Sequence, residues 1–205
     1  PGTAPGYHAL TQGYLVGEVV RRATGKTIGT VFREEIAEPL GADFHIGLPE
    51  SEDSRVATLQ PPPVAVAAQA ASELQKNMAT NPGIDVGETA KREWRGAEIP
   101  AAGGTGNARS VAEIHAILAN GGVAKGKRFL SEAGCRRALE FQVEGTDLVL
   151  GIPVRFGMGF GLPGGMVPLP NPNSCYWGGY GGSIAIIDMD TRSTFSYVMN
   201  RMEGT

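Results

Sequence analysis

The chain has 205 residues, with 18 Lys and Arg against 21 Asp and Glu, so its formal charge is −3 at pH 7. This balance excludes a protein that binds nucleic acid through a general excess of positive charge. Apolar residues make up 41% and charged residues 19%, proportions that indicate a packed domain and not a disordered chain. Because no apolar run approaches the roughly 20 residues of a membrane helix and no signal peptide is evident, we expect a soluble chain, in the cytoplasm rather than secreted.

The two cysteines, Cys135 and Cys175, are too few for a disulfide framework, and the three histidines lie elsewhere in the sequence. A structural zinc site needs about four closely spaced ligands. We therefore expect two buried thiols, no metal and no cofactor. The 30 Gly and 14 Pro separate periodic segments, which predicts a fold rich in loops.

The first part of the chain is predicted to be helical. Apolar residues at helical spacing predict a helix over 8–22, with Gly25 as its stop signal. A second helix is predicted from Thr27, as the N-cap, to Gly41. A short strand is predicted at 44–48.

The middle of the chain has weaker signals. From Pro61 the sequence is rich in Ala, Asn and Gly and predicts no element before a short helix at 88–95. Residues 99–106 are predicted to form a loop. Ser110 followed by Glu113 has the spacing of a capping box, which predicts the start of another helix.

The last part of the chain changes from helices to strands. Ser131 is predicted to begin the last helix. Short apolar or alternating runs predict strands at 148–154 and 156–160, and a hairpin over 183–199 whose polar turn lies at 190–193. Helices followed by antiparallel strands are the order of an α+β fold.

No complete active site can be assembled from motifs in the sequence. The nearest match to the Gly-x-Ser-x-Gly elbow of α/β-hydrolases is centred on Ser183, but it lacks the final Gly and leads into a predicted strand. No Ser is followed by Lys three positions later. Because a serine hydrolase needs a nucleophile, a base and donors to the oxyanion, the chain alone lacks at least the nucleophile.

Three segments nevertheless carry a resemblance, and they occur in the right order. They are Pro-Gly-Thr-Ala-Pro-Gly-Tyr-His-Ala-Leu-Thr at 1–11, Ile-Pro-Ala-Ala-Gly-Gly-Thr-Gly-Asn-Ala-Arg-Ser at 99–110 and Trp-Gly-Gly-Tyr-Gly-Gly-Ser at 177–183. Together they resemble the serine β-lactamase and penicillin-binding-protein fold. The chain looks most similar to the class C β-lactamase-related carboxylesterases, also called family VIII esterases, including actinobacterial lipases and esterases.

The resemblance implies a role for particular residues. In that family a Ser-x-x-Lys motif supplies the nucleophile and its partner amine, and a tyrosine completes the proton relay. Tyr7 would be this catalytic tyrosine. Trp177, Gly178 and Gly179 would form the substrate-binding third motif, and the backbone N–H of Tyr180 would be one half of the oxyanion hole. Without the resemblance, Tyr7 would be an ordinary core aromatic. Trp177 could be one too, but the two glycines that follow it favour a position in a cleft. His8 is expected to face solvent, and Asn107, Arg109 and Ser183 are expected to be structural.

The implied reaction is hydrolysis of short-chain esters through an acyl-enzyme, with a small ester as the binding partner. Trp177 replaces the Lys that holds a β-lactam carboxylate, and Ala9 replaces an Asn that is usual in β-lactamases, so esters should be favoured over penicillins. The alternatives are a β-lactamase, D-aminopeptidase or acyltransferase of the same fold, or a non-catalytic penicillin-binding-like module.

The resemblance also implies a partial β-lactamase/transpeptidase-like fold. It would comprise a mainly helical region over 1–140, beginning at the tyrosine motif, and the C-terminal antiparallel strands over 141–205, together one incomplete catalytic domain. The segment with Ser-x-x-Lys would be missing from the N-terminal side, since the chain opens on Pro1 without Met. We therefore expect this chain alone to be inactive, and to associate through an exposed sheet edge with the missing segment or with copies of itself.

Overall fold

The computed structural model describes residues 2–62, 72–80, 83 and 85–203. In the stretch after Pro61 for which the sequence predicts no element, residues 63–71, 81, 82 and 84 lie outside the described residues, and residues 73–80 form a helix. The α-helices are α1 (Thr11–Thr24), α2 (Ile28–Phe32), α3 (Glu38–Leu40), α4 (Glu73–Thr80), α5 (Arg92–Gly96), α6 (Ala108–Ala119) and α7 (Glu132–Arg137). The strands are β1 (Phe44–Ile46), β2 (Gly104–Gly106), β3 (Val123–Ala124), β4 (Lys127–Arg128), β5 (Val143–Thr146), β6 (Pro153–Phe156), β7 (Ser174–Gly178), β8 (Ile184–Asp188) and β9 (Ser193–Tyr197).

The two predicted N-terminal helices are confirmed, with differences at their ends and in their winding. The first begins three residues later than predicted and ends where Gly25 adopts a left-handed conformation with φ 74°. The second begins at Thr27, whose side chain accepts a hydrogen bond from the backbone N–H of Thr30. It passes through a π-helical turn at Arg33–Ala37 between α2 and α3.

The predicted capping box at Ser110 is wrong. Asn107 is the N-cap of α6, since its Oδ1 accepts a hydrogen bond from the backbone N–H of Ser110 at 3.0 Å. Ser110 lies inside the helix and is buried, and its Oγ accepts a hydrogen bond from the backbone N–H of Asp43 at 2.9 Å. The Ser side chain is therefore used for a contact between distant segments. By contrast, the predicted cap at Ser131 is confirmed, because its Oγ accepts from Gly134 N–H at 3.0 Å.

Residues 99–106, predicted as a loop, contain strand β2. It pairs antiparallel with β1 in the register Phe44 to Gly106, which also confirms the predicted strand near 44. The same segment packs closely on α1, because a Cβ at Gly13 would lie 2.5 Å from the backbone nitrogen of Ala101. Helix α1 is thus held against the loop that leads to α6.

The C-terminal strands form the sheet region that the sequence predicts, with two elements misplaced. The strand predicted at 156–160 is wrong after its first residue, because β6 ends at Phe156 and residues 157–160 belong to no strand. Strands β7, β8 and β9 form an antiparallel sheet, and the predicted hairpin is confirmed as β8 and β9. The strand predicted at 148–154 is wrong over most of its length. Residues 147–152 instead form a tight turn between the antiparallel strands β5 and β6, in which Asp147 accepts backbone hydrogen bonds and Gly151 has φ 70°.

The core lies where α6 packs against β8 and β9. One buried cluster joins the helix to the sheet and consists of Ala119, Leu162, Cys175 and Ile187. A second joins α6 to the end of α3 and consists of Leu40, Ala42 and Ile117. Both cysteines are free and buried, as predicted. None of the described helices is long and apolar enough to cross a membrane.

Replacing Asn107 with Ala should lower the free energy of unfolding by about 1 kcal/mol, because the first turn of α6 loses its capping acceptor. Urea denaturation of the 205-residue chain would measure this loss. Arg109→Ala, on the exposed face of the same turn, is the control and should leave stability nearly unchanged. Equal effects of the two substitutions would contradict the assignment of the cap.

Candidate active site

The segment that carries Tyr7 is bound to the turn between β5 and β6. The backbone N–H of Tyr7 donates to Oδ1 of Asp147 at 3.1 Å. Two residues earlier, the carbonyl oxygen of Pro5 accepts a hydrogen bond from the N–H of Leu148 at 3.0 Å. The tyrosine therefore has a defined position although it precedes α1 and belongs to no regular element.

This position places the Tyr7 ring against the strand of the third motif. The centroids of the Tyr7 and Trp177 rings are 5.7 Å apart, with an interplanar angle of 33°. Phe156 of β6 contacts the same indole, at a centroid distance of 5.6 Å and an angle of 56°. Such tilted aromatic pairs are favourable beyond the burial of their surface. The indole of Trp177 is thus held by rings from two other segments.

The strand β7 ends at the predicted substrate-binding glycines. Gly178 pairs with Ile184 across the sheet, and the N–H of Gly179 donates to the carbonyl of Ser183 at 2.8 Å. Between them the chain turns through Gly181 and Gly182, whose φ angles of 98° and 109° favour glycine. This turn places Tyr180 at the surface.

Tyr180 is 63% exposed, so its side chain is not part of the core. The described residues provide no acceptor for its backbone N–H. A free N–H just beyond the end of β7 is the kind of donor that an oxyanion hole requires.

The environment of Tyr7 favours the neutral phenol. Burial raises the pKa of Tyr7 above its usual value of 10.0, and the negative charge of Asp147 raises it further. The described residues offer no hydrogen-bond partner to the Tyr7 hydroxyl and place no cation against it. A phenol in this setting becomes a base near neutral pH only if a cation is added beside it.

Two residues of this site, Asp147 and Phe156, were not predicted as site residues. Asp147 begins a turn that the sequence pattern assigned to a strand, and its only local signal was the preference of Asp for turns. Phe156 was recognised as an apolar strand residue, and nothing in its neighbours indicates Trp177. Both contacts join segments that are far apart in the sequence.

The residues expected to be structural are found in structural positions. His8 is exposed, with Nδ1 at 2.8 Å from the carbonyl oxygen of Gly6. Asn107 caps α6 and Arg109 lies on its exposed face, while Ser183 closes the turn after β7.

Two hollows in the surface lie away from these residues. One, of about 340 Å³, lies between α6, α7 and the β8–β9 turn; the other, of about 230 Å³, lies beside α5 and β2. Neither is lined by Tyr7, Trp177 or Tyr180. No group of three His, Cys, Asp or Glu side chains in the described part of the chain is arranged to hold a metal ion.

Helices followed by an antiparallel sheet, with a tyrosine before the first long helix and an aromatic-Gly-Gly strand end beside it, define a domain of the β-lactamase/transpeptidase-like class. A comparison with protein families matches residues 1–205 to the family described as Beta-lactamase. The chain therefore belongs to the β-lactamase family.

Known proteins similar to this chain include esterases. It is 34% identical over 212 residues to the esterase/β-lactamase LipL of Mycobacterium tuberculosis, a match that covers 96% of this chain and 48% of that protein. Among solved structures, a family VIII carboxylesterase is 38% identical with a TM-score of 0.91, covering 100% of this chain and 55% of that one. A penicillin-binding protein homologue from Caulobacter crescentus is 35% identical with a TM-score of 0.85, at 100% and 55% coverage.

These matches confirm the resemblance to the family VIII carboxylesterases and the partial β-lactamase-like fold. The chain spans about half the length of the proteins it matches. The roles of Tyr7, Trp177, Gly178, Gly179 and Tyr180 remain predictions, since similarity of the whole chain does not test them.

The raised pKa of Tyr7 predicts a loss of stability in alkaline solution. The unfolded chain releases the tyrosine proton near pH 10 and the folded chain only at higher pH, so the free energy of unfolding should fall as the pH rises through this interval. Urea denaturation between pH 9 and 11, roughly this interval, should give a shallower fall for Tyr7→Phe. Tyr14→Phe, on the exposed part of α1, is the control, and an identical fall in all three proteins would contradict the prediction.

Proposed function

We propose that this chain forms part of a serine carboxylesterase that hydrolyses short-chain esters through an acyl-enzyme. The observation that supports this most is the contact between the Tyr7 and Trp177 rings, which joins the tyrosine motif at one end of the chain to the third motif near the other. The similarity to a family VIII carboxylesterase supports the ester as substrate. The Ser-x-x-Lys motif, absent from this sequence, would come from the half of the fold that this chain does not span.

In this proposal Tyr7 carries the proton. Its phenolate takes the proton of the serine hydroxyl while the serine oxygen bonds to the ester carbonyl carbon, and the electron pair of the carbonyl moves to its oxygen. The N–H of Tyr180 and the serine's own N–H stabilise this oxyanion. When the oxyanion collapses, Tyr7 returns the proton to the leaving alkoxide; water then repeats the sequence on the acyl-enzyme.

The raised pKa of Tyr7 explains why the lysine is needed. Burial and the Asp147 charge both hold the phenol in its protonated form, and the described residues supply no opposing cation. A lysine ammonium within hydrogen-bond distance would favour the phenolate. Without that lysine, and without the serine, the 205-residue chain is expected to be inactive.

The aromatic surroundings of Trp177 support a neutral acyl group as substrate. The indole lies between Tyr7 and Phe156, and its one polar group is an N–H donor. It offers apolar contact and no point charge for a substrate carboxylate. A β-lactamase activity is the second candidate, because the relative LipL is named an esterase/β-lactamase.

The proton-relay role can be tested in what we call the completed enzyme, defined as this chain together with the Ser-x-x-Lys half of the fold, from its parent protein or a family VIII carboxylesterase. Tyr7→Phe should lower kcat for p-nitrophenyl butyrate by about 10²- to 10⁴-fold, because the proton carrier is lost. Tyr14→Phe is the matched control and should retain activity. The 205-residue chain alone should give no turnover. An unchanged rate in Tyr7→Phe would rule out the relay assignment.

The role of Trp177 in selectivity can be tested by restoring a cation at that position. In the completed enzyme, Trp177→Lys should raise the ratio of nitrocefin to p-nitrophenyl butyrate turnover, measured as kcat/KM, by about tenfold or more, because the ammonium attracts the β-lactam carboxylate. Trp177→Phe keeps an aromatic ring without charge and should leave the ratio low. If both variants change the ratio equally, charge at this position does not select the substrate.

A further inference from the structure

The buried carboxylate of Asp147 has no part in the relay described above. Asp147 is only 1% exposed and lies in the turn between β5 and β6. Its Oδ1 accepts hydrogen bonds from the backbone N–H groups of Tyr7 at 3.1 Å and of Val149 and Leu150 at 2.9 Å. Its Oδ2 is buried and has no hydrogen-bond partner among the described residues.

Turn capping alone does not account for this arrangement. Asp188 is also buried and also caps a turn, since its Oδ1 accepts from the backbone N–H groups of Asp190 and Thr191. Its Oδ2, however, is bonded to the side chain of Asn171 at 2.6 Å. A buried carboxylate oxygen without a partner is costly, and a neutral Asn could cap the turn at Asp147 equally well. An Asp at this position, where an Asn would suffice for the turn, therefore indicates a use of the charge beyond the turn.

We propose that Asp147 is a positioning residue for Tyr7, which holds the tyrosine backbone through Oδ1 and stabilises, through its negative charge, the proton that the relay gains from serine. This inference rests on the proposed function. Asp147 would orient the base as the buried Asp does in a Ser-His-Asp triad. Because protonated tyrosine is neutral, its negative charge would favour the protonated form by destabilising the phenolate. It forms and breaks no covalent bond itself.

The electrostatics around Tyr7 support this role. Among the charged groups of the described residues, Asp147 is the one whose negative charge raises the pKa of Tyr7. The packed neighbour Trp177 is uncharged, and the adjacent His8 is exposed and bonded to its own backbone segment. A negative charge makes the ionised phenol a stronger base, and the lysine of the other half would keep enough of it ionised to act.

Asp147→Asn separates the charge from the hydrogen bonds, because the amide keeps an acceptor oxygen for the N–H groups and has nearly the same shape. In the completed enzyme, the acid limb of kcat/KM for p-nitrophenyl butyrate should move to lower pH by about half a unit. The plateau of kcat should fall by at most about threefold, because a phenolate whose pKa is lower by half a unit is a slightly weaker base. In the 205-residue chain, the absorbance of tyrosinate should report ionisation of Tyr7 at a lower pH than in the unaltered chain.

Asp188→Asn is the matched control, since it neutralises a second buried, turn-capping aspartate. Asp188 lies at the end of β8 that is away from Gly178. It should leave both the pH profile and the Tyr7 titration unchanged, even where it lowers the melting temperature as much as Asp147→Asn does. If Asp147→Asn moves neither the pH profile nor the Tyr7 titration, or if both variants move them equally, the proposal is overturned. Failure of the proposed function can be told apart from failure of the Asp147 proposal. The former shows as an undiminished rate in Tyr7→Phe, whereas the titration of Tyr7 in the 205-residue chain requires no activity.

A measurement without substitutions covers the case in which Asp147→Asn does not fold. In the unaltered chain, the amides of Tyr7, Val149 and Leu150 should all exchange their hydrogens slowly, because all three donate to Oδ1. The exposed neighbour His8 should exchange quickly. Exchange of Tyr7 as fast as that of His8 would overturn the backbone contact on which the proposal depends.

Discussion

The candidate site depends on one connection, the attachment of the segment before α1 to the turn between β5 and β6. Two hydrogen bonds make it: Tyr7 N–H to Asp147, and Leu148 N–H to the carbonyl of Pro5. The segment before α1 belongs to no helix or strand, so these two hydrogen bonds fix its position. With them, the Tyr7 ring lies against Trp177, and the two ends of the chain meet at one place.

This connection also determines the electrostatic character of the site. The group that holds Tyr7 is a buried carboxylate, so the same residue that positions the phenol opposes its ionisation. The aromatic contacts from Phe156 and Tyr7 hold Trp177 without adding charge. In the proposed function, the described residues would provide the tyrosine, an apolar wall and an oxyanion donor, and the cation and the nucleophile would come from outside this chain. That division matches a chain that spans about half the length of its relatives.

Local signals predicted elements well wherever one side chain or one glycine decides the outcome within a few residues. Gly25, Thr27 and Ser131 end or begin helices as predicted, because their conformations and cap bonds involve only near neighbours. The prediction at Ser110 failed because Asn107, three residues earlier, caps the helix, and the Ser110 hydroxyl accepts a hydrogen bond from the backbone of the distant Asp43 instead. The strand predicted at 148–154 is wrong because the buried Asp147 carboxylate accepts hydrogen bonds from the backbone N–H groups of Val149 and Leu150, which folds this apolar run into a turn.

The sequence by itself determined the α+β order, the hairpin at the end of the chain, the two buried thiols and the three motif segments that indicate the family. These are properties of periodicity, of composition and of short runs of residues. The tertiary structure alone decided that Asp147 and Phe156 belong to the site, and that Tyr7 lies half-buried beside a negative charge. The physical reason is that each of these depends on which distant groups share a hydrogen bond, a ring contact or a buried volume, and a linear pattern contains no record of such pairs.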